Sequence, residues 1–331
     1  MRRRTVITAA AACTVAVAQE SHAQTAGTPR RLGVLLSGND AFAKRFAADT
    51  VLKKLQELGW AEGNNLVVDY RSAEGVPDRL PQAAAQLVEL KPDVIFAGGN
   101  AFNLDAARRA SNSIAIVMAG GYADNVAAGV IQSLARPGGN VTGMAAISAT
   151  IPAKRLQLLK QTLPALTRVA YLLEPGMAGQ SALEELIAQA GRALNLELTR
   201  YVLRTSSEFE AAIQQARAAQ VQAMYVNGTP LFSVFNARGL AELLIKYKYP
   251  SMAYWNYQAD QGFLMGYSAD VSDLYRRSAA YIDKIFRGAK PGDLPVEEPT
   301  QYEFVINLKT AKLIGVTIPQ DVLLRADRVI A

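Results

Sequence analysis

The chain contains one cysteine, Cys13, and one histidine, His22, and both lie within its first 23 residues. These side-chain types most often supply a nucleophile, a general base near neutral pH or a ligand for a transition metal. The same 23 residues have the features of a cleaved export signal. We therefore expect the working protein to contain neither group, which disfavours most nucleophilic, imidazole-dependent and metal-dependent enzymes.

Carboxylates are the remaining candidates for acid–base chemistry. Asp40, Asp124 and Glu174 are available for a paired-carboxylate mechanism, but no catalytic spacing singles them out. The chain also lacks a Gly-x-Gly-x-x-Gly run after its first predicted strand and a Gly-x-x-x-x-Gly-Lys-Ser/Thr run anywhere. We predict no catalytic residue, no metal ion and no cofactor, and keep a carboxylate-based enzyme as an alternative.

Three adjoining features make up the predicted signal at residues 1–23. Three arginines follow the first methionine, residues 6–18 form an uncharged run rich in alanine and valine, and a polar segment ends at Ala23. Cleavage after Ala23, or alternatively after Ala18, predicts a periplasmic protein. The arginines also fit the twin-arginine export pattern. Lipid attachment at Cys13 is a minority alternative that would tether the chain to a membrane.

Basic residues are scattered among acidic ones along the chain. Removing the three arginines and the one glutamate of the signal lowers the formal net charge from +6 to +4. Scattered charge of this size does not provide the basic patch that nucleic acids require, so we predict no nucleic-acid partner. No other uncharged apolar run approaches the roughly 18 residues of a membrane span, so we expect nothing after the signal to cross a membrane.

Short apolar strands alternate with longer amphipathic helices through the first half of the chain. Residues 32–36 form a continuous apolar run of strand length, and residues 41–58 carry apolar side chains near helical spacing before Gly59. The unit repeats, with predicted strands at 66–70, 93–97 and 114–118 and predicted helices at 78–90 and 101–110. This alternation predicts a doubly wound open sheet of parallel strands.

A second series of strands and helices begins at residues 141–145. Ser181 with Glu184, and Ser207 with Glu210, form capping-box patterns that predict the first turns of two helices. Further strands are predicted at 169–173, 197–203, 223–226 and 251–254, and further helices at 153–162, 231–246 and 271–287. Two α/β halves of similar size therefore lie in tandem.

The loops that follow the predicted strands are small, polar and rich in glycine. Ligands of open sheets bind at the carboxyl ends of the strands, and the backbone N–H groups of such loops can approach an anion. The loops lie at residues 37–40, 98–100, 119–122, 174–176 and 227–229. Each loop alone is more typical of a simple turn, but five at one edge favour a small-molecule site.

A nine-residue run at 135–143, Ala-Arg-Pro-Gly-Gly-Asn-Val-Thr-Gly, is highly specific. Three further runs are Leu-Gly-Trp-Ala-Glu-Gly-Asn-Asn at 58–65, Gly-Ala-Lys-Pro at 288–291 and Ile-Asn-Leu-Lys-Thr-Ala-Lys at 306–312. In these runs the chain resembles the substrate-binding proteins of ABC transporters, in the group whose best-understood members look like binders of tryptophan or other aromatic amino acids. The resemblance covers essentially the whole chain after the signal.

The resemblance implies a type I periplasmic-binding-protein fold, an α/β fold of two Rossmann-like, doubly wound lobes joined by three hinge crossings. The crossings are expected near residues 144–148, 264–268 and 298–302. The first lobe would hold residues 24–145 and 268–298, and the second would hold residues 146–267 and 299–331. A ligand in the cleft would stabilise the closed form by contacts from both lobes.

The expected partners follow from the same resemblance. The closed, monomeric protein would deliver a small molecule, an amino acid or an aromatic or apolar carboxylate, to an ABC permease and its ATPase in the inner membrane. A periplasmic sensor that hands its signal to a receptor would share the fold and the cleft, and remains an alternative.

We predict that residues at the cleft edges of both lobes hold the ligand. Gly99 and Gly121 would supply backbone donors, and Glu174 would accept a hydrogen bond from a ligand ammonium group. Hydrogen-bonding side chains are expected from Asn39, Asn100, Tyr122 and Asn227. Tyr254 or Trp255 would offer a stacking face, and the alternative is that these rings pack within a lobe or the hinge.

Overall fold

The first of two sheets contains five parallel strands. The computed structural model describes residues 28–38, 40–74, 76–122, 124–145, 150–176, 180–233 and 236–331. The strands are β1 (Arg30–Leu36), β2 (Leu66–Ser72), β3 (Val94–Gly98), β4 (Ala115–Gly120) and β5 (Val141–Ala145). Their order is β2-β1-β3-β4-β5, and every neighbouring pair is parallel. Strands β3, β4 and β5 are buried along their whole length, which explains the uninterrupted apolar sequences of β3 and β4; β5 includes one polar residue, Thr142.

Within the described residues, four α-helices lie in the connections between the first four strands of this sheet. They are α1 (Asp40–Ala47), α2 (Lys53–Glu57), α3 (Leu80–Glu89) and α4 (Ala101–Ala110). The predicted helix at 41–58 is present as one helical run from Asp40 to Glu57, in which a π-helical segment, Ala48–Leu52, lies between α1 and α2. The Thr50 hydroxyl donates to the carbonyl of Phe46 one turn earlier. There it competes with a backbone N–H for the same acceptor, which favours the wider turn.

The second sheet contains seven strands. They are β6 (Arg168–Leu173), β7 (Glu197–Val202), β8 (Ala223–Val226), β9 (Ser251–Ala253), β10 (Met265–Ala269), β11 (Tyr302–Asn307) and β12 (Arg328–Ile330). Their order is β12-β11-β10-β9-β8-β6-β7. The pair β10–β11 is antiparallel, and the other pairs are parallel. The carboxyl ends of β6, β8 and β9 therefore lie along one edge, as expected for a ligand-binding edge.

The helices of the second sheet are α5 (Ile151–Thr162), α6 (Gln180–Ala193), α7 (Phe209–Ala218), α8 (Ala237–Lys246), and, after helix α9 (Val271–Phe286), the short helices α10 (Leu308–Ile314) and α11 (Gln320–Leu323). Helix α5 begins close to its predicted start at 153, but the start at 231 predicted for α8 is wrong, because a 3₁₀ turn at Pro230–Phe232 precedes it. Both predicted capping boxes are wrong. Ser181 lies inside α6, and the capping box before α7 is made by Thr205 and Glu208, two residues ahead of the predicted pair.

Helix α9, Val271–Phe286, follows β10 in sequence but packs on the first sheet. The Tyr275 ring meets the Phe96 ring edge-on at 4.9 Å between centroids. The Trp60 indole N–H donates to Asp283 at 2.8 Å, and the Ser278 hydroxyl donates to a carbonyl of the helix itself. The chain therefore returns to the first sheet after forming most of the second.

The segment after α9 borders β5 before the chain enters β11. The Ala145 N–H donates to the Glu297 carbonyl at 2.8 Å, and the Thr142 hydroxyl donates to the Leu294 carbonyl at 2.7 Å. Of the predicted crossings, 264–268 overlaps β10 and 298–302 leads into β11, whereas residues 146–148 of the first crossing lie outside the described residues. The predicted lobe boundaries remain predictions.

The nine-residue run at 135–143 holds two turns against the first sheet. The Gly138 N–H donates to the Gly292 carbonyl at 3.1 Å, and the Asn140 side chain donates to the Ile114 carbonyl at 2.8 Å. Gly143, within β5, has a φ of +123°, and a Cβ there would lie 2.3 Å from the Met118 carbonyl oxygen. The run therefore packs its turns against neighbouring backbone and leads into β5.

Replacing Gly143 with alanine tests this close approach. We expect the variant to lose about 2 kcal/mol or more of unfolding free energy, because alanine meets both an unfavourable φ and a backbone oxygen. Urea unfolding followed by circular dichroism measures the loss. Gly239→Ala is the matched control, since a Cβ there meets nothing within 4 Å. It lies in α8 and should gain up to about 1 kcal/mol. Equal midpoints for both variants would refute the contact.

Candidate functional site

A cavity of about 350 Å³ lies between the two sheets. This volume is within the range of pockets that hold small molecules, roughly 300–1,000 Å³. Segments that follow β1 and β3, together with α9, form the wall on the first sheet. Residues around the ends of β9, β11 and β12 form the opposite wall. The cavity is therefore built where both sheets approach each other.

Aromatic rings cover much of this cavity. Trp255 and Tyr257 stack with their centroids 6.3 Å apart and their planes 12° apart. Phe46 and Tyr275 meet edge-to-face at 4.8 Å on the other wall. The Tyr275 hydroxyl lies so close to Gly98 that a Cβ there would be 2.2 Å from its oxygen. Only glycine leaves room for the ring at that point of the floor.

A hydrogen-bonded group of three side chains lies beside the aromatic rings on the wall formed by the first sheet. The side-chain oxygen Oδ1 of Asn100 accepts from the backbone N–H groups of Phe102 at 3.0 Å and Asn103 at 3.3 Å, so Asn100 caps α4. Ser37 accepts from the Asn100 amide at 3.3 Å and donates to Asn103 at 2.7 Å. The N-terminus of α4 faces this end of the cavity, where its dipole favours an anionic group.

Charged groups lie on the opposite wall. Arg328 donates through both terminal nitrogens to Asp260 at 2.7 Å, and through Nε to Glu303 at 3.2 Å. Glu303 also accepts from the Asn256 amide. The Oε1 atom of Gln261 is buried and has no hydrogen-bond partner among the residues that the structure describes. The arginine is thus occupied by carboxylates, whereas the glutamine offers a free acceptor.

Three of the sequence-predicted site residues line this cavity, namely Gly99, Asn100 and Trp255. Asn39 lies outside the described residues. Tyr254 lies behind Trp255, with its ring edge-on to the indole at 4.7 Å and its face 4.0 Å from the Arg155 guanidinium. The alternative that this ring packs within a lobe therefore describes Tyr254, while Trp255 forms part of the wall.

Gly121 and Tyr122 follow β4 but do not line the cavity. The Tyr122 side chain is 2% exposed and packs in a core cluster, and its hydroxyl donates to Asp105. Burial, followed by this hydrogen bond, raises the pKa of the Tyr122 phenol far above its usual value. Gly121 lies against the Asn125 side chain, which also accepts from the Tyr122 N–H at 3.1 Å. These contacts are internal to the first half.

Glu174 and Asn227 follow β6 and β8 but lie away from the cavity lining. Glu174 accepts from the Leu231 N–H at 3.1 Å, and burial raises the pKa of its carboxyl although this hydrogen bond opposes the shift. Asn227 is 2% exposed, and its amide nitrogen has no hydrogen-bond partner within the described segments. Both roles in ligand binding remain predictions.

Sequence reasoning missed several residues of the cavity. Phe46 lies on α1, Tyr275 lies on α9, and Glu303 and Arg328 lie at the starts of β11 and β12. None of these residues lies in a glycine-rich loop after a strand, which is the pattern that predicted the site residues. The return of α9 to the first sheet brings Tyr275 to the cavity, and the placement of β11 and β12 beside β10 brings Glu303 and Arg328.

The described residues also bear on two other kinds of site. Within those residues, no group of three or more histidine, cysteine, aspartate or glutamate side chains is arranged to hold a metal ion. Among their helices, none combines the length and apolar character needed to cross a membrane.

Solved structures resemble this architecture closely. A conserved domain protein from Vibrio cholerae matches with a TM-score of 0.82 at 26% identity, covering 91% of this chain and 100% of that one. A domain from Streptococcus pneumonia, solved in complex with L-Trp, also gives a TM-score of 0.82, at 21% identity over 92% of this chain and 100% of that one. The fold is that of the type I periplasmic binding proteins, as predicted.

Sequence comparisons agree with the structural ones. A tyrosine-binding protein from Clostridioides difficile (strain R20291) is 25% identical over 263 residues, which are 80% of this chain and 74% of that protein. The model of the family described as ABC transporter substrate binding protein matches residues 36–330. The resemblance seen in the sequence is thereby confirmed, and the chain belongs to the family of ABC transporter substrate-binding proteins.

Proposed function

We propose that this chain is the extracytoplasmic solute-binding component of an ABC importer. It captures a small molecule between its lobes and delivers it to a permease and its ATPase in the inner membrane. The cavity of about 350 Å³, with walls from both sheets, carries the proposal. Family membership supports binding rather than turnover. The predicted export signal at residues 1–23 supports a periplasmic location, although it lies outside the described residues.

The walls suit a ligand with a flat apolar ring. Trp255 and Tyr257 present stacked aromatic faces from one side, and Phe46 and Tyr275 lie on the other. Aromatic groups stack with such rings in offset or edge-to-face geometry, worth about 0.5–1.5 kcal/mol per pair beyond the area buried. The tyrosine-binding relative and the neighbour solved with L-Trp support the same ligand class. An aromatic amino acid is therefore the leading candidate.

The polar ends of the cavity suit the two charges of an amino acid. The N-terminus of α4, with Gly99 and Asn100, favours the carboxylate. Gln261 offers an acceptor without a partner among the described residues, and this favours the ammonium group. The carboxylate of Glu303 already binds Arg328 and Asn256, so it adds only negative charge on the same wall. Arg328 is held by two carboxylates, so it is not a ready partner for a ligand anion. A zwitterion thus matches the cavity better than a simple carboxylate.

Closure of the lobes is the step that couples binding to delivery. Ligand contacts on both walls stabilise the closed arrangement relative to an open one, so binding shifts the population toward the closed form. The crossings near residues 144–148, 264–268 and 298–302 would carry the hinge motion. Glu174 and Asn227 stay as proposed contacts for ligands longer than one amino acid. They follow β6 and β8, whose carboxyl ends lie on the same edge of the second sheet as the end of β9 near Trp255.

A thermal-shift series tests the ligand class. At about 100 times its dissociation constant, L-tyrosine, L-tryptophan or L-phenylalanine should add roughly 2.7 kcal/mol of stability, which raises the midpoint by a few degrees. L-Alanine lacks the ring, and tyramine and phenylpropionate each lack one charge, so all three should give smaller shifts. If the shift is the same with and without the ring, or none of the compounds shifts the midpoint, the ligand assignment fails.

Gly98→Ala tests the cavity itself. The new Cβ would lie 2.2 Å from the Tyr275 hydroxyl oxygen, so the ring must move into the cavity. We expect the affinity for the aromatic amino acid identified above to fall by about tenfold or more, measured by isothermal titration calorimetry. Gly139→Ala is the control, since a Cβ there meets nothing within 4 Å. Unchanged affinity in a folded Gly98→Ala variant would place the ligand elsewhere.

A further inference from the structure

Arg155, on α5, is a buried cation. Its side chain is 1% exposed and is the largest of the fully buried side chains that the structure describes. No carboxylate within the described segments forms an ion pair with it. A buried guanidinium is costly unless its hydrogen bonds are satisfied. The groups that satisfy it therefore indicate what the residue does.

Two backbone carbonyls, the Tyr225 hydroxyl, which accepts from a terminal nitrogen at 3.5 Å, and one ring face hold the guanidinium. Its Nε donates to the Tyr267 carbonyl at 2.8 Å, and one terminal nitrogen donates to the Tyr254 carbonyl at 2.7 Å. The Tyr254 ring lies 4.0 Å from the guanidinium carbon, within the range of a cation–π contact. Tyr254 follows β9 and Tyr267 lies in β10, so the planar fork of one arginine bridges two neighbouring strands.

The bridge lies where the hinge crossings are expected. Helix α5 begins directly after the first crossing, and β10 contains the second. The Tyr267 ring stacks on Tyr302, at the end of the third crossing, with centroids 5.6 Å apart and planes 19° apart. Residues of the second and third predicted crossings therefore lie around Arg155, on a helix that begins shortly after the first.

Strand β10 is also in direct contact with the aromatic wall of the cavity. A Cβ on Gly266 would lie 2.5 Å from the Trp255 carbonyl oxygen, so the two backbones are in direct contact. The Asn256 N–H donates to the Ser268 hydroxyl at 3.0 Å. Tyr254, held by Arg155, meets the Trp255 indole edge-on. A shift of β10 relative to α5 would therefore move Trp255.

We propose that Arg155 is a positioning residue that couples the hinge to the ligand-facing aromatic wall, by holding α5, β10 and the Tyr254–Trp255 segment as one unit. The proposal rests on the proposed function, because it assumes that Trp255 faces the ligand and that the lobes close. An apolar side chain of similar size would fill the space, but it would leave the two carbonyls without their donors. Lysine would keep the charge with a single nitrogen, which cannot span both strands in the way the guanidinium does.

The experiment uses Trp255 as its own reporter. The chain has two tryptophans, so Trp60→Phe leaves Trp255 as the only one. In this background, Arg155→Met and Arg155→Lys are compared with the neighbouring, partly exposed Lys154→Met as a matched control. Trp255 emission and acrylamide quenching are recorded without ligand, and circular dichroism checks folding. Affinity is then measured for L-tyrosine, with excitation where only tryptophan absorbs.

We expect Arg155→Met to shift Trp255 emission to longer wavelength, to raise its quenching, and to weaken L-tyrosine binding by about tenfold. Arg155→Lys should recover part of both changes, and Lys154→Met should match the parent. A folded Arg155→Met variant with the parent's emission, quenching and affinity would overturn the proposal. So would loss of folding in both arginine variants, because the role would then be structural. If the parent itself binds no aromatic amino acid, the proposed function fails, while the emission and quenching still decide whether Arg155 positions Trp255.

Discussion

Burial of one face of α9 on the first sheet is the interaction on which the rest of the structure depends. Leu274, Tyr275, Ala279, Ile282 and Phe286 are all at most 3% exposed and belong to the core of that sheet. Each large apolar side chain buried in this way contributes roughly 1.5–3 kcal/mol. This burial draws the chain back from the second sheet, so the polypeptide must pass between the two sheets more than once. It also carries Tyr275 to the floor of the cavity.

The polar groups of the cavity are mostly paired with one another before any ligand arrives. Ser37, Asn100 and Asn103 hold each other on one wall, and Arg328 is held by Asp260 and Glu303 on the other. Such pairing fixes the positions of donors and acceptors, so little side-chain order has to be created on binding. It also explains how a cavity without thiol or imidazole groups can still be selective: it discriminates by shape and hydrogen bonding rather than by reactivity.

The fold was largely predictable because parallel strands buried on both faces leave uninterrupted apolar runs. The candidate site was predictable only where a side chain follows a strand and its backbone faces the opposite sheet, as for Gly99, Asn100 and Trp255. Tyr122 also follows a strand, but its side chain turns into the core of its own half. Tyr275 and Arg328 could not be placed from local sequence, because a long-range return and a terminal strand bring them in.

The contact between Gly138 and Gly292 shows what the nine-residue run at 135–143 does in the structure. A Cβ on Gly292 would lie 2.9 Å from the Gly139 carbonyl oxygen, so two turns distant in sequence approach each other through backbone alone. Neither turn lines the cavity. The run therefore constrains the chain path and not the pocket. Two proteins that share this run can therefore share the fold and still bind different ligands. Similarity in this run indicates a common architecture and gives no information about the ligand.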